Sequence, residues 1–179
     1  MKPVLAALLA VAIGIAAGGD YVSLRRKLVD ERRTVDTLWS DLNVALQARA
    51  DRIADLAAGL RQFAPADDPA FTATATARQE LSAALAPEDK IEAARQMDGA
   101  LAALLTLAKN HPQVHSSAPV IRARREIAAA ADRIAVDRRK YNEALERYNT
   151  SLTVFPNNIV AHLAGFHRDD AYFQTAASY

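Results

Sequence analysis

The sequence predicts an all-α protein: an elongated antiparallel helical bundle of two long and two shorter helices, preceded by an N-terminal transmembrane or signal helix. Three observations carry this. Alanine is abundant while the 179 residues hold only 6 glycines and 7 prolines, a composition that favours helix. No strand-like alternation is sustained anywhere in the chain. Two long stretches space their large residues in steps of four and three, the heptad seam of packed helices.

The first element is the uncharged run Val4 to Gly19. At 1.5 Å per residue it spans about 24 Å, slightly short of a hydrocarbon core, and Tyr21 and Val22 extend it. Two readings stand: a retained membrane anchor, and a cleaved secretory signal, with Lys2 as its basic start and the small residues Ala17 and Gly19 before Asp20. The anchor is favoured because helical patterning continues directly from Leu24 with no linker. Arg25, Arg26, Lys27, Arg32 and Arg33 follow the run, against Lys2 alone before it. By the positive-inside rule this bias keeps the bulk of the chain in the cytoplasm, a single-pass protein of the inner membrane. Arg25, Arg26 and Lys27 would also touch anionic lipid, at about 1 kcal/mol per charge.

The next long helix is predicted over Leu24 to Phe63, its seam formed by Val35, Trp39, Leu42, Leu46, Arg49, Ile53, Leu56, Leu60 and Phe63. Pro65 and Pro69, with Asp67 and Asp68, end it. Two shorter helices follow. One covers Phe71 to Leu85, with Phe71, Thr74, Arg78, Leu81 and Leu85 on one face. The other runs from Pro87 to about Lys109, with Ile91, Ala94, Leu101, Leu104, Leu105 and Ala108 inward. Pro87 suits a first turn, and Glu88 and Asp89 suit its dipole.

The second long helix is predicted over Ala118 to Phe155. Its seam is Ile127, Ala131, Ile134, Arg138, Tyr141, Leu145, Tyr148, Leu152 and Phe155. The long helices measure about 60 and 57 Å and suit antiparallel packing. A short turn from Ile159 to Ala164 stops at Gly165, and a tail carrying Phe166, Tyr172 and Phe173 follows. The implied organisation is an anchor or signal over residues 1–22, a bundle over 23–165 and an aromatic tail over 166–179.

Composition and motifs exclude several function classes. Cysteine is absent, and 22 Lys and Arg face 21 Asp and Glu, a net charge of +1. Thiol chemistry is excluded, and no basic face marks a nucleic-acid binder. No Gly-rich phosphate loop, nucleophile elbow or zinc-protease motif occurs, and no acid–base set clusters, so neither a catalytic residue nor a cofactor is expected. His111 and His115 stand four apart but are split by Pro112, and His162 and His167 by Gly165, so no metal site is expected.

Polar residues on the apolar faces are the candidates that remain. Arg49, Arg78 and Arg138 need partners if buried, so they fix helix register through internal hydrogen bonds, line an anion pocket, or snorkel to solvent. Tyr141, Asn142, Tyr148 and Asn149 repeat at a spacing of seven. The plain reading is tyrosine packing, with the asparagines bonding across to the shorter helices.

The stretch Val35-x3-Trp39-Ser40-x-Leu42-x-Val44-x-Leu46-Gln47-x-Arg49-x-Asp51-x-Ile53-x2-Leu56 resembles the first-helix signature of the LemA family. Arg138-x2-Tyr141-Asn142-x5-Tyr148-Asn149, then Phe155-Pro156-x-Asn158, Gly165-Phe166 and Tyr172-Phe173, are similar to its carboxyl half. Ala77-Arg78 and His111-Pro112 fall where the family has an Ala-Arg pair and an aromatic-Pro pair. The resemblance covers residues 20–175. Two spots depart: Ala54 stands where the family has a proline, so the helix should lack a kink there, and Ala66-Asp67-Asp68 lacks a His-Glu pair. The resemblance implies a membrane-anchored bacterial or archaeal helical domain with no established enzymatic activity.

Together these readings predict a non-enzymatic scaffold or adaptor, its partners being membrane lipid and another protein. Two surfaces are candidates: the end from Tyr148 and Asn149 to Phe155 and Asn158, and the aromatic tail. The alternatives are a sensor of anionic small ligands or lipid headgroups using the seam arginines, and an exported envelope protein. The heptad seams also suit a homo-oligomer.

Overall fold

Helix boundaries follow the capping chemistry of the chain. In a computed structural model, residues 2–111 and 117–173 are described, with side chains from Gly19 onward. Five helices and no strands occur among them: α1 (Lys2–Leu60), α2 (Pro69–Ala83), α3 (Pro87–Lys109), α4 (Ala118–Thr153) and α5 (Asn157–Ala164). Helix α1 is continuous through Ala54, as the missing proline predicts. Asp68 caps α2, its carboxylate accepting from the Ala70 N–H at 2.9 Å with Pro69 in the first turn. Helix α3 carries Glu88 and Asp89 in its first turn and Lys109 in its last, both favourable to its dipole.

Three boundaries are corrected. Helix α1 ends at Leu60 rather than Phe63, which lies in the following turn and is exposed. Helix α2 begins two residues early at Pro69 and stops at Ala83, because Ala84 turns extended and leaves Leu85 91% exposed. Helix α4 stops at Thr153, before the Phe155–Pro156 cis bond. The predicted short turn is a full helix, α5. It closes on Gly165 at φ 74°, with the Phe166 N–H bonded to Ala161 O at 3.0 Å. That bond pattern is the Schellman stop, which favours glycine.

The chain forms two compact units, and each long helix contributes to both. Unit one holds Met1–Thr37 and Tyr141–Asp170. Here α1 and α4 run antiparallel: Leu24 and Leu28 share a cluster with Leu152, while Arg32, further along α1, meets Tyr148, earlier in α4. Val160 and Ala161 of α5 and Phe166 complete that cluster.

Unit two holds Leu38–Lys140 and Ala171–Tyr179. Its core takes Leu42, Leu46, Ile53, Leu56 and Leu60 from α1, Phe71, Ala77 and Leu81 from α2, Met97 and Leu104 from α3, and Ile127 and Ile134 from α4. Helices α2 and α3 pack on each other. Of the predicted α1 seam, Val35, Leu42, Leu46, Ile53, Leu56 and Leu60 are buried, Trp39 and Arg49 are half-buried and Phe63 is exposed, whereas α2 buries Ala77 in place of Arg78. On α3, Met97 and Leu107 are buried, while Ile91, Leu101 and Leu105 are half-exposed. The end of α2 is held by its neighbours: Leu81 O accepts from Gln47 Nε2 at 3.0 Å and from the buried Lys90 Nζ at 2.7 Å.

Among the described residues no helix is long and apolar enough to cross a membrane. The side chains of residues 1–18, and with them nearly all of the expected anchor or signal run, lie outside the described residues, as do Pro112, His115 and residues 174–179.

Candidate functional site

Two constellations collect most of the predicted polar residues. The first, in unit two, begins with Arg49. It falls on the α1 seam between Leu46 and Ile53, so its side chain is only 11% exposed and must find a carboxylate. It pairs with Asp98 of α3. Arg138 of α4 shares that acid's field. Burial lowers the Arg138 pKa, the Asp98 charge opposes the fall, and the Arg49 charge adds to it. The Arg138 guanidinium lies over the Phe173 ring, 5.0 Å from its centre, and that ring packs on Trp39 at 6.1 Å. The Nε atoms of both arginines are buried without a hydrogen-bond partner. Beside Arg49 a groove of about 260 Å³ opens, lined by Leu101, Leu105, Arg124, Ile127, Ala128 and Ala131. Two cations therefore share one half-exposed anion, an excess of positive charge next to an apolar groove.

Arg78 does not join them. It is half-exposed and donates from Nε and Nη2 to Asp51 Oδ1 at 3.0 and 2.7 Å. The expected burial fails because Ala77, one position earlier, completes the inward face of α2.

The second constellation, in unit one, holds the chain after Gly165. Asn149 is buried, and its amide bonds the backbone of Asp169 twice, with Nδ2 donating to Asp169 O at 2.6 Å and the Asp169 N–H donating to Oδ1 at 3.0 Å. Tyr148 Oη donates to His167 O at 3.1 Å. Arg32 donates to the Asp169 carboxylate at 2.9 Å and lies over the Tyr148 ring at 5.7 Å. Burial opposes the Arg32 charge, but the Asp169 hydrogen bond and the carboxylates of Asp36 and Asp169 outweigh it, so its pKa is raised. The asparagine thus bonds the tail, not the shorter helices. Tyr141 is buried and Asn142 half-buried on the same helix.

The two surfaces expected to meet a partner are largely occupied from within. Tyr148 and Asn149 are buried, and of the tail Ala171 and Phe173 are buried too. What stays open at the end of α4 is Phe155, 75% exposed, and Asn158, whose Oδ1 accepts from the Ile159 N–H. Arg25, Arg26 and Lys27 are exposed, Lys27 facing Glu31 at 3.9 Å. Among the described residues no three acids and histidines gather where they could hold a metal ion.

A model of the LemA family matches residues 38–179, more than half of the chain. The chain belongs to the LemA family. No curated protein matches it. Within this LemA family chain the two constellations also contain residues that the sequence reading missed: Arg32, Asp98 and Asp169. Arg32 had a signal. Leu28, Arg32 and Val35 continue the four-and-three seam backwards by a heptad, and a cation there needs a partner as Arg49 does. Asp98 had none, and Asp169, which with Asp170 reads in the sequence as a solvated turn residue, is instead largely buried, since each is recruited by an arginine distant in sequence.

Proposed function

We propose that this LemA family protein is a membrane-anchored, non-enzymatic helical scaffold that presents a protein-interaction surface near the bacterial inner membrane. Its support is one observation: the chemistry-bearing side chains that sequence singles out are engaged by the chain itself. Tyr148 and Asn149 hold the tail, and Arg49 and Arg78 meet Asp98 and Asp51. A rigid carrier of surfaces uses its polar groups in this way, to fix one packing. Val4–Gly19 supplies the tether, and the cations from Arg25 to Arg33 hold the carboxyl side in the cytoplasm. With Tyr148, Asn149, Ala171 and Phe173 engaged from within, the partner surface falls on the open groove of about 740 Å³ in unit two, which runs from Leu38 and Val44 to Arg133 and Lys140.

The test is extraction and processing. An anchored protein stays in the membrane through alkaline carbonate, leaves with detergent, and begins at Met1. A chain beginning near Asp20 and released without detergent contradicts the anchor and favours an exported envelope protein.

A second reading has its own observation, the two buried, unpartnered Nε donors of Arg49 and Arg138. They suit a carboxylate or phosphate sensor, for which an anionic metabolite or lipid headgroup raises the melting midpoint of the wild type and not of Arg138→Met. An unchanged midpoint across such anions contradicts it.

A further inference from the structure

Helix α5 buries Asn157, Val160 and Ala161 and turns its other face outward. On that face Ile159 is 52% and Leu163 68% exposed, and the preceding turn adds Val154 and Phe155. Four large apolar groups within ten residues form a patch that water disfavours. Among the described residues of unit one nothing covers it. Its place on the chain says what does.

Val160 and Ala161 pack against Leu28, with Tyr21 and Leu24 in the same cluster. The helix that carries the patch therefore sits beside the first turns of α1 that follow the uncharged run ending at Gly19. Leu28 lies nine residues past Gly19, about 14 Å of helix, and Tyr21 only about 3 Å. The headgroup layer beyond a hydrocarbon core is about 5–8 Å deep, so Tyr21 and Leu24 of the cluster fall within it and Leu28 just beyond it. Arg25, Arg26 and Lys27 stand exposed on this part of α1, outnumbering the exposed Asp20 and Asp30. Apolar side chains bordered by cations suit the boundary of an anionic leaflet.

We propose that the turn from Val154 and the outer face of α5 rest in the membrane interface, so that the first unit is seated on the bilayer rather than hung from it. The seat rests on the anchored reading above. Phe155, Ile159 and Leu163 enter the acyl boundary, while the basic side chains of α1 meet phosphate.

The absence of native cysteine makes the test direct. Single Cys variants of the full chain, I159C, L163C, T37C and A10C, are labelled with an environment-sensitive nitrobenzoxadiazole. Each is reconstituted in vesicles of equal parts phosphatidylcholine and phosphatidylglycerol, with and without chain-labelled doxyl lipid. Positions 159 and 163 are exposed, so labels there leave the packed face intact, and helical circular dichroism checks it. The expected result is blue-shifted emission at 159 and 163 that doxyl lipid quenches, with Thr37, eighteen residues past Gly19, unquenched. Quenching at 10 but not at 159 and 163 overturns the seat and leaves the anchor standing. No quenching at any position overturns both. A blue shift at 159 that doxyl lipid does not quench, and that fades on dilution of protein in lipid, overturns the seat in favour of a second copy of the chain.

Discussion

The side-chain amide of Asn149 pairs with the backbone of Asp169 as a peptide would, donating to its carbonyl and accepting from its N–H. Both bonds are half-buried, so water cannot replace them freely. Asn149→Ala therefore leaves two backbone groups short, at a cost of about 2–3 kcal/mol. Asn149→Asp costs more, because it loses the donor and sets a carboxylate beside Asp169. Urea denaturation measures both; equal stability of wild type and Asn149→Ala contradicts the tail clamp.

Tyr148 carries a pH signature. Burial holds its phenol above the ordinary value of 10.0, with Asp169 and Asp36 adding to the effect and Arg32 opposing it. The folded state thus keeps the proton longer than the unfolded state. The stability tied to that proton is intact below pH 10 and falls as pH rises through the folded pKa. Tyr148→Phe keeps the ring beneath Arg32 but loses the bond to His167 O, at about 1 kcal/mol. The difference between the two proteins should hold at neutral pH and shrink as the pH rises beyond about 10. A constant difference argues against a buried, bonded phenol.

Asp98 serves two cations, so its charge matters more than one exposed ion pair would. Asp98→Asn should destabilise by about 1–2 kcal/mol, and sulfate should restore part of the loss by occupying the space between Arg49 and Arg138. Thermal melts in chloride and sulfate at matched ionic strength read this out. A variant that melts as the wild type does in both salts contradicts a shared acid.

Gly165 sits at φ 74° with open space where a Cβ would stand. Its substitution therefore reports backbone strain alone. Gly165→Ala should cost about 1–2 kcal/mol and Gly165→Asn less, since asparagine tolerates the left-handed region. Equal costs in denaturant would place the effect elsewhere.

The helices and the α1 seam were legible because heptad spacing, prolines and capping residues all act locally. Arg49 was legible for the same reason: a cation inside a hydrophobic seam must be buried and paired. Arg78 misled because Ala77, one step away on the wheel, is small enough to take the inward place. Asp98 was invisible and Asp169 read as a solvated turn residue, because a carboxylate chosen by a distant arginine leaves no mark on its own neighbours. Tyr148 and Asn149 were recognised as a motif, but their target, the backbone of residues 167–169, carries no side-chain pattern to read.

The account turns on a scaffold tethered with its bulk in the cytoplasm, and cysteine accessibility tests this most directly. Leu85 is 91% exposed, and the chain has no cysteine of its own. Full-length Leu85→Cys, expressed in cells with a permeabilised outer membrane, is treated with a membrane-impermeant maleimide before and after lysis. The account predicts a membrane-bound protein labelled only after lysis. Labelling in the intact cells would place residue 85 outside the inner membrane and contradict it.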